Sequence, residues 1–447
     1  MINVRGLESH WNLAPHCRSL STTPHPHPAH QPNSLNSMTD TAPQNDPPTS
    51  HVLPKGIRFA GVAAGIKASG KPDVSMIVTD RPSVMAGVYT TNQIVAAPVV
   101  LSRAKTPTST GRVVLTNSGN ANACTGEEGM QNAKAMCELA AKLTGCDSAD
   151  VMVMSTGVIG QPLPMEKVRA GIEAAAGKLG DAETDFIASA DAICTTDQFR
   201  KTVSETVTIR GQQFRIAAMC KGAGMIAPNM ATMLGVVMTD APIGPEAAQA
   251  SLKQIAGQTF NRVSVDGHTS TNDTVMLVCT GMSVSEDVQE FNSDELEIWQ
   301  EAATQVALKL AKMLVADGEG AARFFEVRVS GAASDEDAFV IAKTVAASPL
   351  VKTAITGGDP NWGRIVSAAG YAGPKIDPER TSLVIDGVMV FENGTPLSID
   401  AAKLSESMKA NSEVLADLTV GEGPGQASFW ASDLTEAYVR FNSLYTT

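Results

Sequence analysis

The sequence predicts a layered α/β protein with some antiparallel strand pairing, and three observations carry that reading. From about residue 54 onward, short apolar β-branched runs interleave with longer segments of helical periodicity. Several strand-like runs follow one another with no helix between them, which argues against a regular βα barrel. The composition is 43% hydrophobic and only 4% aromatic, with Gly, Ala, Val and Met filling in, which suits closely packed layers.

Taken in chain order, strands are expected at Val74–Thr79, Val113–Thr116 and Val151–Ser155, each a short apolar run bounded by turn residues. Helices are expected at Gln131–Leu143 and Pro164–Ala176. Phe214–Met219 and Met233–Met238 are two strand candidates with no helical segment between them, followed by a helix at Pro245–Ile255 and a strand at Thr274–Cys279. Leu296–Leu314 places apolar residues at Leu296, Ile298, Ala302, Ala303, Val306, Ala307 and Leu310, the spacing of a helix laid on a sheet. The strand Phe325–Val329, helix Asp335–Ala346, strand Ser382–Ile385 and helix Ser398–Ala410 complete the pattern. No internal repeat is evident.

A chain of 447 residues supports one large or two ordinary domains. Residues 1–50 stand apart, with eight prolines and five of the seven histidines, and read as a disordered Pro/His-rich leader. Met38 is a candidate initiator, which would make the upstream part a gene-start artefact. A net charge of −13 and the absence of any basic run argue against a nucleic-acid partner. No stretch approaches the roughly 20 apolar residues of a membrane span. Seven cysteines without CxxC spacing point to free thiols, a reducing cytoplasm and no metal site.

The most informative segment is Lys221–Leu234, KGAGMIAPNMATML. A Gly-rich, Pro-Asn turn delivers the Ala231–Thr232 peptide bond to the start of an apolar strand, where it is either an ordinary strand entry or a bond that can cut itself. In the second case the Thr232 hydroxyl attacks the Ala231 carbonyl, and hydrolysis of the ester leaves Thr232 as a new N-terminus. Such a threonine carries its own general base, an α-amine with a reference pKa of roughly 7.7–8.0.

The histidines sharpen this choice. Only His268 lies beyond residue 51, in the polar stretch Asp266–Asp273, so an enzyme here uses His268 or finds its base elsewhere. The alternative for His268 is a turn residue making local hydrogen bonds. Two phosphate motifs fail: Gly65–Pro72 has proline where a P-loop needs a hydroxyl, and Gly421–Gly425 lacks dinucleotide-binding spacing. The first is better explained as a hairpin. Cys124 reads as a small, inert, partly buried cysteine. Its loop, Asn117–Gly126, is either a rigid turn or a close approach to a ligand.

Several segments together resemble one family. KGAGMIAPNMATML, NSGNANACTG (117–126), MSTGVIG (154–160), TTD (195–197), DGHTSTNDT (266–274), DGEGA (317–321), GGDPNWGRI (357–365) and FNSLYTT (441–447) are similar, in order, to the glutamate N-acetyltransferase (ornithine acetyltransferase) family of arginine biosynthesis. The resemblance covers nearly everything after the leader. It implies an α/β/β/α sandwich of the N-terminal-nucleophile type, self-cleaved into associated fragments 51–231 and 232–447, with two copies of each. It also implies ping-pong transfer of acetyl from N-acetylornithine to glutamate, with no cofactor and, in some members, acetyl-CoA as a second donor.

Carried over by position, the resemblance makes Thr232 the nucleophile and Thr156 and Gly157 the oxyanion donors. A lost donor of that kind costs about 10²–10³ in rate. Lys221 matches a substrate-binding lysine whose charge would also keep the Thr232 amine unprotonated. Glu319 matches a carboxylate that receives a substrate amine. Thr195 matches a hydroxyl ligand, with Thr196 an equal contender, and Asn442 and Thr447 match C-terminal ligands. The run Gln198-Phe199-Arg200-Lys201 lacks the proline that family members often place before the lysine, which weakens any role for Lys201. An aminopeptidase or amidase of similar architecture is the competing enzyme reading, and an uncut structural subunit the non-enzymatic one.

Overall fold

The computed structural model describes residues 50–227, 233–283 and 289–444. The expected leader and the Ala231–Thr232 boundary lie outside the described residues.

The first sheet is built from β1 (Ile57–Val62), β2 (Val74–Tyr89), β3 (Thr108–Asn120), β4 (Val151–Val158), β5 (Lys201–Ile209), β6 (Gln212–Lys221), β7 (Leu234–Thr239) and, after the short β8 (Val263–Ser264), β9 (Thr274–Cys279). Its order is β4-β3-β2-β9-β7-β6-β5, with β1 beside β2. The 16-residue β2 belongs to both halves. Up to Thr79 it pairs with β1, and from Val84 it pairs with β9. Pro82 sits at the changeover, where the register with β3 also shifts. A residue with no N–H to donate marks the place where such a strand can bend.

Both faces of this sheet are apolar, because strand side chains alternate and each face meets a packed layer. In β4, Val151 and Val153 face helices α2 (Gly126–Thr144) and α3 (Met165–Ala176), while Met152 and Met154 face inward. There they meet Met219 of β6, Leu234, Val236 and Met238 of β7, and Met276 and Val278 of β9. The opposite face of that second half is covered by α5 (Pro245–Gln258) and α6 (Ser293–Ala316), through Leu252, Ile255, Trp299, Val306 and Leu310. The sheet is thus folded onto itself between two pairs of helices, an α/β/β/α sandwich. Of the remaining helices in this half, α1 (Ala97–Arg103) packs on β4, and α4 (Glu183–Ile193) sends Phe186, Ala190 and Ile193 into the inner core.

A second sheet follows, which the strand pattern did not separate from the first. It comprises β10 (Phe324–Ala332), β11 (Ser382–Ile385), β12 (Val388–Glu392), β13 (Thr395–Pro396), β14 (Glu413–Thr419) and β15 (Gly425–Ser432), in the order β13-β12-β11-β14-β10-β15-β8. Helices α7 (Asp335–Ala347), α8 (Pro349–Gly357), α9 (Trp362–Gly370) and α10 (Ala401–Ala410) pack with it around its own core. The last described helix, α11 (Glu436–Leu444), buries none of its residues. Each expected strand and helix overlaps an observed element, three of them starting too early: Pro164 is the N-cap of α3, Met233 precedes β7, and Ser398 lies three residues before α10. No single described helix is long and apolar enough to cross a membrane.

Candidate functional site

The ends of four chain segments meet at one cavity of about 250 Å³. The first is the end of β4. Thr156 and Gly157 lie there, held by buried polar links: Ser155 Oγ donates to Asn117 Oδ1 at 2.6 Å, and Asn272 Nδ2 donates to the carbonyls of Ser155 and Ala121 at 2.9 and 2.6 Å. Gly157 has φ +134°, and a Cβ there would stand 2.2 Å from the Gly119 carbonyl carbon. Only glycine fits that turn, which leaves its backbone at the cavity wall. The Asn117–Gly126 loop is held as a bonded turn, and its Ala121 also lines the cavity, so the two alternatives are not exclusive. Its Asn117 and Asn122 side chains bond within the segment or to Gly129, and Asn120 bonds the carbonyls of Gln161 and Pro162.

The second segment is the end of β6. Lys221 is 3% exposed, and its Nζ donates to Thr156 Oγ1 at 3.2 Å. Because the ammonium has only donors, the Thr156 oxygen must accept, and its hydroxyl proton is left to point at something else.

The third and fourth segments are the TTD loop after α4 and the DGEG loop after α6. They are joined beneath the cavity by a buried charge cluster. Lys201 Nζ contacts Asp197 Oδ1 at 2.7 Å and Asp317 Oδ2 at 2.5 Å, all three side chains being fully buried. Asp197 also accepts the N–H groups of Thr195 and Gly222, and Asp317 accepts that of Gln198. Burial opposes ionisation, but the Lys201 and Lys221 ammonium groups hold the Asp197 carboxyl well below its usual range, and the two carboxylates push the Lys201 ammonium up despite its burial. The cluster locks the TTD, Lys221 and Glu319 segments together. The missing proline before Lys201 does not prevent this, so Lys201 is structurally central where its sequence context argued for little.

Above the cluster, Glu319 faces the cavity. Its Oε1 accepts from Thr196 Oγ1 at 2.8 Å, and its Oε2 accepts from Asn442 Nδ2 of α11 at 3.1 Å. Its N–H is tied to the Ala223 carbonyl. A Cβ on Gly224 would come within 2.2 Å of Glu319 Oε2, so glycine there makes room for the carboxylate.

Of the residues singled out from sequence, the structure brings Thr156, Gly157, Thr195, Lys221, Glu319 and Asn442 to one cavity, with Thr196 lining it as well. Ala231, Thr232 and Thr447 lie outside the described residues. His268 is exposed on the cavity edge, its N–H donating to Asp266 Oδ1, the local bond expected of a turn histidine. Met233, directly after Thr232, donates its N–H to Asp273 Oδ1 at 3.2 Å. Burial raises the Asp273 carboxyl well above the ordinary carboxylate range. Asp197, Asp317, Asp273, Asn272 and Tyr438 were not found from sequence. The first four stood inside quoted motifs, but nothing in a motif tells a buried polar side chain from a solvated one. The six described cysteines are free thiols, and Cys124, expected to be partly buried, is instead exposed on its turn.

Fold and site together define an enzyme with an α/β/β/α sandwich, whose hydroxyl, ammonium and carboxylate groups converge on one pocket. The ArgJ family model matches residues 58–447, and the chain belongs to the ArgJ family. It is 95% identical to the arginine biosynthesis bifunctional protein ArgJ of Rhodopirellula baltica over 410 residues, covering 92% of this chain and all of that protein. The protein of the same description from Geobacter sulfurreducens is 43% identical, covering 88% of this chain and 99% of the relative. A crystal structure of an ArgJ protein from Bacillus halodurans is 35% identical with a TM-score of 0.45, covering 47% of this chain and 98% of that one.

Proposed function

We propose that this enzyme serves arginine biosynthesis by moving acetyl from N-acetylornithine to glutamate through an acetyl ester on Thr232, with acetyl-CoA as a second donor. In this scheme the chain is first cut at Ala231–Thr232, and fragments 51–231 and 232–447 stay associated as two copies of each. The Thr232 oxygen attacks the acetyl carbonyl while its α-amine takes the hydroxyl proton. That proton passes to the ornithine nitrogen as the C–N bond breaks. Glutamate then enters, and its amine attacks the ester in the reverse sequence. No cofactor or metal takes part. A cytoplasmic location accords with the free thiols.

The observation that carries this reading is the Lys221–Thr156 bond. It fixes the Thr156 oxygen as acceptor, so its O–H, with the Gly157 N–H, can turn toward the cavity as a pair of oxyanion donors beside a positive charge. An enclosed carboxylate and ammonium in one pocket also suit a zwitterionic substrate better than a peptide.

The direct test is intact-mass analysis followed by incubation with N-acetylornithine and glutamate. Two fragments meeting at 231/232 and accumulation of acetylglutamate are expected. Free acetate released at a rate indifferent to glutamate would favour the amidase alternative. For the oxyanion pair, Thr156→Ala is expected to lose about 10²–10³ in kcat. A variant within about twofold of wild type would remove Thr156 from the mechanism.

A further inference from the structure

We propose that Thr196 is a positioning residue that acts on substrate through Glu319, which deepens the reading of this cavity as an amino-acid site. The Thr196 hydroxyl donates to Glu319 Oε1 at 2.8 Å, a bond to a carboxylate that has no ion-pair partner among the described residues. An unpaired carboxylate facing a cavity is suited to receive a ligand cation. Glutamate side chains are costly to immobilise, so a carboxylate already held before binding gains affinity for that cation. The donor is itself rigidly placed. Thr196 is β-branched, and its loop is tied down on either side by the Thr195 N–H to Asp197 and the Gln198 N–H to Asp317. Glu319 is fixed from its other end by its N–H bond to the Ala223 carbonyl. The carboxylate keeps lone pairs free for an ammonium group after accepting these donors. The geometry therefore favours Thr196 over Thr195 as the hydroxyl that matters to Glu319.

The test measures ornithine affinity by calorimetry and, in parallel, KM and kcat of transfer. Thr196→Val should weaken ornithine binding about tenfold, as expected for one lost hydrogen bond to a charged group, with kcat within about threefold of wild type. Thr196→Ser should restore affinity to within about twofold. In a Glu319→Gln background, Thr196→Val should cost less than about twofold, because the two residues act as one unit. Wild-type affinity in Thr196→Val, or an undiminished tenfold loss in the Glu319→Gln background, would overturn the proposal while leaving the acetyltransferase reading intact. A wild-type enzyme that binds no ornithine would overturn both.

Discussion

A Thr232→Ala variant is expected to persist as one uncut chain and to lose about 10⁴-fold or more in kcat for acetyl transfer. The magnitude follows from asking one residue to do two tasks. In the proposed mechanism its oxygen forms the ester, and its nitrogen, unmasked by scission, moves the proton; serine hydrolases divide these between two side chains. The substitution removes the oxygen and, with it, the route by which the nitrogen is freed. The pocket described by Thr156, Lys221 and Glu319 would remain, so ornithine should still bind. Intact mass, calorimetry and acetylglutamate production give the three readouts. Full turnover from an uncut variant would refute the assignment of Thr232.

Lys201→Met is expected to destabilise the protein by about 3–5 kcal/mol, because it strands two buried carboxylates without their ammonium partner. The Lys221 charge remains nearby but is engaged with Thr156. The pH dependence has a definite sign. The Asp197 carboxyl is depressed in the folded protein, so its contribution is present above the ordinary carboxylate pKa of about 3.9 and fades as pH falls through the folded value. The stability gap between wild type and variant is therefore expected to be full near neutrality and to narrow in acid. Urea denaturation at several pH values would show it. An unchanged midpoint at neutral pH would mean that the cluster is not the clamp described here.

The strands and helices with strong periodicity were legible from sequence because burial dictated their pattern. Val151–Ser155 reads as a strand buried on both faces, and Leu296–Leu314 as a helix lying on a sheet; the structure uses them in that way. What escaped were elements whose sequence is polar or short. Strand β5, Lys201–Ile209, turns Thr202, Ser204, Thr206 and Thr208 to one face and mixes Lys201 and Glu205 with Val203, Val207 and Ile209 on the other, and its buried first residue is a lysine. Helix α11 is short and buries nothing, although Ala437, Phe441 and Leu444 stand at helical spacing. The sheet reversal at Pro82 and the separation of a second sheet depend on which strands pair. That is a property of distant segments, to which a local pattern is blind.

The site shows the same division. Motifs located Lys221, Thr156, Gly157 and Glu319, because chemistry restricts which residue types can stand there. They did not reveal that Asp197, Lys201 and Asp317 form one cluster, since the third member lies 116 positions from the second. Nor did they separate Thr195 from Thr196. Both line the cavity, Thr196 bonding Glu319, and neighbouring residues in a loop follow no fixed alternation that a sequence could reveal.

The strand order of the first sheet bears on when the chain can be opened. Strands β7 and β9 come after residue 231, yet they lie between β2 and β6, which come before it. Taken alone, the earlier segment would have a gap in the middle of its sheet and two raw edges inviting aggregation. The cores on either face of β6, β7 and β9 draw residues from both sides of position 231, so neither piece alone completes them. The proposed backbone cut would therefore be the last event of maturation, made in an already completed body, and the pieces would then be interlocked by the β2–β9 and β6–β7 ladders.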